Sequence, residues 1–215
     1  MQCIARWYED PNTGTPFRDQ TLLQFGESWE LLANFVLFNP GSARPLDGSD
    51  QTDRLRALGL PYLVPPRRGS RYLAFRLDPL MRQLLKCFAG HYAGGAIRIF
   101  NLLNVRSSKP GNALNYLTEH DACWPLVTPG DEVQYGDAPI VIGAGRRGHE
   151  LSALQNEMAK YTARVPRDRL YALRRSGPRD FTVVRVDQAP GEWVSSYHPS
   201  YTFHYGNRTS LGELR

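Results

Sequence analysis

An apolar run that stops at a sharp turn places the strongest constraint on how this chain folds. Residues 33–38 read Ala-Asn-Phe-Val-Leu-Phe, and the turn sequence Asn-Pro-Gly follows at 39–41. A strand that is apolar on both faces is typical of a parallel sheet, because helices cover both of its faces. The run therefore predicts a buried parallel strand whose carboxyl end, at Asn39, borders a crevice.

Strand-like and helix-like segments alternate along the rest of the chain. Further strands are predicted at 3–8 (in a short edge hairpin), 96–103, 139–143, 169–173 and 181–186, and helices at 78–92 and 151–161. The alternation predicts an α/β fold with a parallel sheet and helices on both faces. Asp78, directly before Pro79, is the expected N-cap of the first helix. Asn39, Asn101 and Gly143 fall at carboxyl ends of strands, where ligands bind in such sheets.

The chain has the length of one compact domain. Its 215 residues are 41% hydrophobic, which is enough for a core without disulfides or metals. We predict a single domain over 1–215. Segment 42–71 is polar and rich in glycine, proline and arginine, so it is expected to be a long loop insertion with at most one short helix.

Cysteine usage and charge narrow the setting and the partners. Cys3, Cys87 and Cys123 are far apart and form no Cys-x-x-Cys pair, so we expect neither a disulfide framework nor a metal site, and a cytoplasmic location. The histidines show no metal-ligand spacing, and no apolar run is long enough to span a membrane. A net charge of +5 favours an anionic partner such as DNA, bound by a monomer.

Four segments, in order along the chain, resemble motifs of the uracil-DNA glycosylase superfamily. Residues 37–41, Leu-Phe-Asn-Pro-Gly, resemble its first motif in the form used by the mismatch-specific thymine/uracil branch. Residues 198–200, His-Pro-Ser, resemble its second motif. Residues 72–75, Tyr-Leu-Ala-Phe, resemble the segment that stacks on an extruded pyrimidine, and 100–106, Phe-Asn-Leu-Leu-Asn-Val-Arg, the strand end that reads the base edge.

The resemblance implies a fold and an activity. The fold would be a three-layer α/β/α sandwich with a central, mostly parallel, four-stranded sheet, and the activity that of a monofunctional DNA glycosylase without a cofactor. Enzymes of this kind extrude a base and hold it by stacking and by hydrogen bonds to its edge. The chain would then hydrolyse the N-glycosidic bond and leave an abasic site.

The resemblance also implies a role for each matched residue. Asn39 would position the attacking water, and His198 would donate a hydrogen bond to the oxygen of the departing base. Phe75 would stack on the base and Asn101 would read its edge. Substrate-binding positions also include Pro40, Gly41 and Ser200. Because an asparagine orients water without acting as a base, the resemblance implies a slow enzyme.

Gly41 stands where uracil enzymes carry a tyrosine that excludes pyrimidines with a substituent on C5. Its small size implies an open pocket, and with the long basic segment 42–71 it favours a base larger than uracil. We expect either thymine in a mismatch or a bulky modified pyrimidine. Our hypothesis is the second, a base such as the glycosylated hydroxymethylcytosine of some phage DNA, with phage defence as the context.

Several residues near these motifs are candidates for DNA contacts. They are Ser42, Arg106, Arg146, Arg147, Phe203 and Tyr205. In the superfamily, the loop after the second motif pushes a wedge residue into the duplex, which Phe203 or Tyr205 could do here. Packing of these aromatic rings on the domain, and simple solvation of the two adjacent arginines, are the alternatives.

Other functions stay open at the level of sequence. The same residues also resemble an uncharacterised bacterial and phage domain family, and a non-catalytic nucleic-acid or nucleotide binder on the same fold is the main alternative. Residues 143–148 form a Gly-x-Gly-x-x-Gly pattern after a strand, as dinucleotide-binding proteins do. No acidic residue follows near Leu173 to hold a ribose, and Arg174 and Arg175 would at most suit the 2′-phosphate of NADP.

Overall fold

A computed structural model of the protein describes residues 1–145, 151–163, 165–178, 180–187, 193–201, 208–209 and 214. Four of the candidate DNA contacts lie outside these residues, namely Arg146, Arg147, Phe203 and Tyr205. The end of the Gly-x-Gly-x-x-Gly pattern also lies outside them.

The described chain contains ten strands and four α-helices. The strands are β1 Gln2–Glu9, β2 Pro16–Phe25, β3 Leu31–Leu37, β4 Pro45–Asp50, β5 Arg71–Phe75, β6 Gly95–Asn101, β7 Ile140–Ile142, β8 Leu170–Arg175, β9 Asp180–Arg185 and β10 Arg208–Thr209. The helices are α1 Thr52–Ala57, α2 Pro79–Ala89, α3 Pro110–Glu119 and α4 Ser152–Thr162. None of these helices has the length and apolar character needed to cross a membrane.

All ten strands form one mixed sheet in the order β10-β9-β8-β7-β3-β6-β2-β1-β5-β4. Five of the nine strand pairings are antiparallel, and the four parallel ones include the neighbours β8, β7, β3 and β6. The predicted fold class, a three-layer sandwich around a four-stranded and mostly parallel sheet, is therefore wrong. Strands β2, β1, β5 and β4 extend the sheet in antiparallel fashion beyond β6.

Strand β2 explains much of this error. Its residues 18–21, Arg-Asp-Gln-Thr, are polar and yet buried, so no alternation of apolar and polar residues marks the strand in the sequence. The strand also carries a bulge: Ile4 lies opposite Leu22 and Arg6 opposite Asp19, which leaves one extra residue on β2. Gln20, within this bulge, has a φ of 48°. Bulges locally disrupt pairing and redirect side chains.

Segment 42–71 is more ordered than predicted. It contains β4 and α1, and β4 pairs with β5 at the edge of the sheet. The predicted strand 3–8 is confirmed as β1, although it lies inside the sheet, between β2 and β5, rather than in an edge hairpin.

Helices pack on both faces of the sheet. Met81, Leu84, Leu85 and Phe88 of α2 pack with one set of alternating strand residues. On the opposite face, α3 and α4 contribute the buried residues Ala113, Leu117, Leu154, Met158 and Tyr161. The predicted helices at 78–92 and 151–161 are confirmed as α2 and α4. Asp78 is the N-cap of α2, as expected, and its Oδ1 accepts a hydrogen bond of 2.8 Å from the Met81 N–H.

Candidate functional site

A cavity of about 580 Å³ opens beyond the carboxyl ends of the parallel strands. Pockets of this size commonly hold small-molecule ligands in proteins. Six of the sequence-predicted site residues line it together: Asn39, Pro40, Gly41, Asn101, His198 and Ser200. These residues come from opposite ends of the sequence, so the sheet brings both motif segments to one place.

The ends of β3 and β6 are held side by side beyond the regular strands. The Leu102 N–H donates to the Leu37 carbonyl at 2.9 Å, and the Leu103 N–H donates to the Phe38 carbonyl at 3.0 Å. Asn101 is the register partner of Leu37, two residues before Asn39, and both asparagines line the cavity. The backbone carbonyl of Asn101 also accepts a hydrogen bond of 2.9 Å from the buried Tyr161 hydroxyl.

A close contact at Gly143 brings the His-Pro-Ser segment to the end of β7. A Cβ atom at Gly143 would lie 2.8 Å from Cδ of Pro199 and 3.1 Å from Cδ2 of Leu37. Only glycine permits so close an approach. Gly143 therefore allows the segment that carries His198 to cross the end of the sheet and reach the cavity.

His198 is held as a neutral imidazole of defined tautomer. The Ser200 N–H donates to Nδ1 at 3.3 Å, and the Ser200 hydroxyl lies 2.8 Å from the same atom. A backbone N–H can only donate, so Nδ1 is the acceptor and the ring proton is on Nε2. Burial lowers the pKa of His198 to about 4, against a smaller opposing effect of Asp78. At neutral pH this residue is an uncharged hydrogen-bond donor.

In the first-motif turn, Asn39 is fixed by a hydrogen bond and Gly41 borders open space. Nδ2 of Asn39 donates to the Ser107 carbonyl at 2.6 Å, which leaves Oδ1 as the acceptor available to a water or ligand. Gly41 has a φ of 72°, and a Cβ atom there would meet no atom within 4 Å. Its left-handed backbone favours glycine, and the space in front of it is open.

Four buried residues in the cavity wall carry polar atoms without a hydrogen-bond partner among the described residues. The atoms are Nε and Nη1 of Arg18, Oγ1 of Thr21, Nδ2 and Oδ1 of Asn101, and Oγ of Ser196. Buried polar groups are nearly always paired, and an unpaired one costs about 1–3 kcal/mol. Four of the six described residues with such atoms line this cavity, which makes it the candidate ligand site.

Arg18, Thr21 and Ser196 were not found from the sequence. Arg18 and Thr21 are three positions apart on β2, and regular alternation would direct them to opposite faces. The bulge at Gln20 places both in the cavity wall. The signal in the sequence was weak, because only the run Thr21-Leu22-Leu23 and Phe25 before a glycine suggest a strand there.

Phe75 does not lie among the residues that line the cavity. It is in β5, only 3% exposed, and its ring lies 5.8 Å from that of Trp7. The guanidinium of Arg18 lies over the Phe75 ring, 5.2 Å from its centroid. The cavity wall contains other aromatic rings that can stack on a base, namely those of Phe38, Tyr197 and Tyr201.

Two of the candidate DNA-contacting residues, Arg106 and Ser42, are hydrogen-bonded to each other. Arg106 donates through Nε to the Ser42 and Ala43 carbonyls, both at 3.0 Å, and through Nη2 to the Ser42 carbonyl at 2.5 Å. It thereby holds the backbone that follows Gly41. Ser42 itself is exposed and is not among the residues that line the cavity.

Asp78 is the carboxylate in the cavity wall, where it caps α2 with one of its oxygen atoms. Within the described ranges, no cluster of three or more histidine, cysteine or acidic side chains is placed to hold a metal ion. No protein family model, curated protein or solved structure matches the chain.

Proposed function

We propose that this protein is a monofunctional DNA glycosylase that extrudes a modified or bulky pyrimidine and hydrolyses its N-glycosidic bond, leaving an abasic site. One observation carries the proposal. Asn101, buried and with both amide atoms unpaired, shares a cavity with a neutral His198 and with Asn39.

Asn101 suits the recognition of a base edge. Its side chain offers one acceptor and two donors in a plane, and the edge of a pyrimidine offers the complementary groups. Because neither amide atom bonds to the described protein, the amide is available to a base at no cost in existing hydrogen bonds.

His198 suits the departure of the base. When the bond between the sugar carbon and the base nitrogen breaks, its electron pair leaves with the base, and negative charge develops on the pyrimidine oxygen. The Nε2–H of a neutral imidazole can donate to that oxygen, and one such donor lowers the barrier by about 3 kcal/mol. A pKa of about 4 keeps His198 in this form throughout the neutral range.

Asn39 suits the attack of water. Its Oδ1 can accept a hydrogen bond from a water molecule and direct the water oxygen at the sugar carbon. The proton that this water loses goes to solvent or to the departing base. Without a base at this position the reaction is slow. The open space at Gly41 and the cavity volume of about 580 Å³ favour a base larger than uracil.

The test uses duplexes that are identical except for one central base. The bases are uracil, thymine opposite guanine, and glycosylated hydroxymethylcytosine. We expect alkali-labile strand breaks at the glycosylated base at a higher rate than at uracil, and a loss of these breaks in Asn39→Ala. Arg169→Met is the matched control, because Arg169 lies at the amino end of β8, away from the cavity.

Breaks at uracil alone would refute the expected substrate, and undiminished breaks in a folded Asn39→Ala protein would refute the role of Asn39. The second candidate function is a non-catalytic nucleic-acid or nucleotide binder on the same fold. The lack of a basic group at Asn39 favours it. Binding of the modified duplex without any abasic site would establish that alternative.

A further inference from the structure

Arg18 is a buried cation with unused donors. It is 3% exposed, and its Nη2 donates to the Pro40 carbonyl, whereas Nε and Nη1 have no partner among the described residues. Nε and Nη1 lie on different edges of the planar guanidinium. The residue lines the same cavity as Asn101 and His198.

An arginine in this state is costly unless a ligand pairs with it. The guanidinium keeps its charge in proteins, so it cannot avoid the cost by losing a proton. Burial lowers the pKa of Arg18, and the nearby Asp78 opposes that shift only in part. Asp78 does not pair with the free donors, since neither of them has a partner, and its Oδ1 caps α2.

The other two buried arginines of the described chain are paired. Arg6, which is 1% exposed, donates to Asp19 at 2.7 Å and to Glu132 at 2.5 Å. Arg98 donates to the Gln134 carbonyl at 2.6 Å and also to the side chain of Gln20. The chain can therefore satisfy a buried guanidinium, and among these three arginines only Arg18, which lines the cavity, keeps unpaired donors.

We propose that Arg18, with the Thr21 hydroxyl beside it, binds an anionic oxygen group, a carboxylate or a phosphate, on the nucleotide that occupies the cavity. The inference rests on the proposed function in taking that ligand to be a nucleotide. The guanidinium donates to this group through Nε or Nη1, which lie on different edges, and Thr21 donates through its hydroxyl. Charge-assisted hydrogen bonds of this kind are roughly twice as strong as neutral ones.

Isothermal titration calorimetry on the full chain tests the proposal with two pairs of probes. The first pair is 5-carboxy-2′-deoxycytidine and 5-methyl-2′-deoxycytidine, which differ in the charge of the C5 group. The second pair is 2′-deoxycytidine 5′-monophosphate and 2′-deoxycytidine. We expect the anionic member of at least one pair to bind about 10-fold to 100-fold more tightly than its neutral partner. The pair that shows the preference identifies the source of the anion.

Variants assign the preference to Arg18. In Arg18→Met the ratio of the two Kd values should fall to about one, and Arg18→Lys should keep part of it, because a lysine keeps the charge but not the fixed direction of the guanidinium donors. Arg169→Met should leave the ratio unchanged. Arg18→Met should also melt no lower than the unmutated protein without ligand, because it removes an unpaired buried cation.

Equal affinity for both members of each pair would overturn the proposal, and so would a preference that persists in both Arg18 variants. Neither assay requires cleavage. A chain that prefers the anionic probe through Arg18 but forms no abasic site refutes the glycosylase and leaves this inference standing. A chain that forms abasic sites but shows no preference for the anionic probe refutes this inference and leaves the glycosylase proposal standing.

Discussion

The two faces of β2 bury polar side chains to the same degree but treat them differently. On what we call the paired face, Asp19 receives two hydrogen bonds from Arg6, and Gln20 receives one from Arg98. On the cavity face, Arg18 and Thr21 have donors without partners among the described residues. The extra residue of the bulge lets Arg18 and Thr21, three positions apart, lie on the same face.

This difference in hydrogen bonding distinguishes polar groups that stabilise the fold, on the paired face, from polar groups that are available to a ligand, on the cavity face. Glu132 extends the paired face, since it accepts from Arg6 at 2.5 Å and from Arg67 at 2.6 Å and so ties two distant loops to the sheet. A network of this kind is lost as a unit when one member is removed. The cavity face has no such network to lose, so its residues should affect binding and catalysis more than stability.

The largest expected effect is on stability and concerns the paired face. Asp19→Ala removes one of the two carboxylates that pair with Arg6 in the core and should lower the free energy of unfolding by about 3–5 kcal/mol. Urea denaturation of the variant and the unmutated protein measures this. A loss below about 1 kcal/mol would show that the two faces do not differ in this way.

The next effect is on catalysis and concerns His198, in the cavity that the cavity face of β2 lines. His198→Ala removes the donor to the departing base, and the rate of base release at saturating enzyme should fall about 100-fold to 1000-fold. Affinity for the same duplex, measured by fluorescence anisotropy, should change far less. If the rate survives while the affinity is lost, then His198 binds the DNA and takes no part in the chemistry.

The pH dependence of stability tests whether His198 is neutral in the folded protein. The pKa of His198 is lowered from 6.5 to about 4 by burial, so between these values the unfolded chain binds a proton that the folded chain does not. Protonation then favours unfolding. The contribution of His198 to stability is full above pH 6.5 and is lost towards pH 4, by about 3 kcal/mol in total.

Urea denaturation at several pH values across this window measures the loss, and His198→Gln serves as the comparison because it has no proton to bind. The difference in unfolding free energy between the two proteins should change with pH in the stated direction. A constant difference would mean that His198 titrates alike in the folded and unfolded chains.

The smallest expected effect is on stability at Asn101. Asn101→Leu removes amide atoms that have no partner, so the unfolding free energy should stay within about 1 kcal/mol of the original or rise. Asn34→Leu is the matched control. Asn34 is equally buried, but its Nδ2 donates to the Tyr135 carbonyl at 3.0 Å, so this variant should lose more stability. The reverse order would contradict the distinction between buried polar groups that hold the fold and those that have no partner.

The sequence by itself determined the elements whose residues follow a clear local pattern. The apolar runs of β3 and β6, and the cap and apolar spacing of α2, depend on neighbours close in the chain. The same patterns, with the family resemblance, selected Asn39, Asn101 and His198, which the structure brings to one cavity. Their chemical roles stay predictions.

Only the tertiary structure decided the extent of the sheet, the position of Phe75 and the entry of Arg18 and Thr21 into the cavity. Each depends on partners far away in the sequence: Asp19 is buried as a polar residue because Arg6 pairs with it, and Phe75 is enclosed because Trp7 and Arg18 cover it. A local pattern cannot show that a polar residue is buried when its compensating charge lies on another strand. The bulge then decides which of these residues the cavity receives.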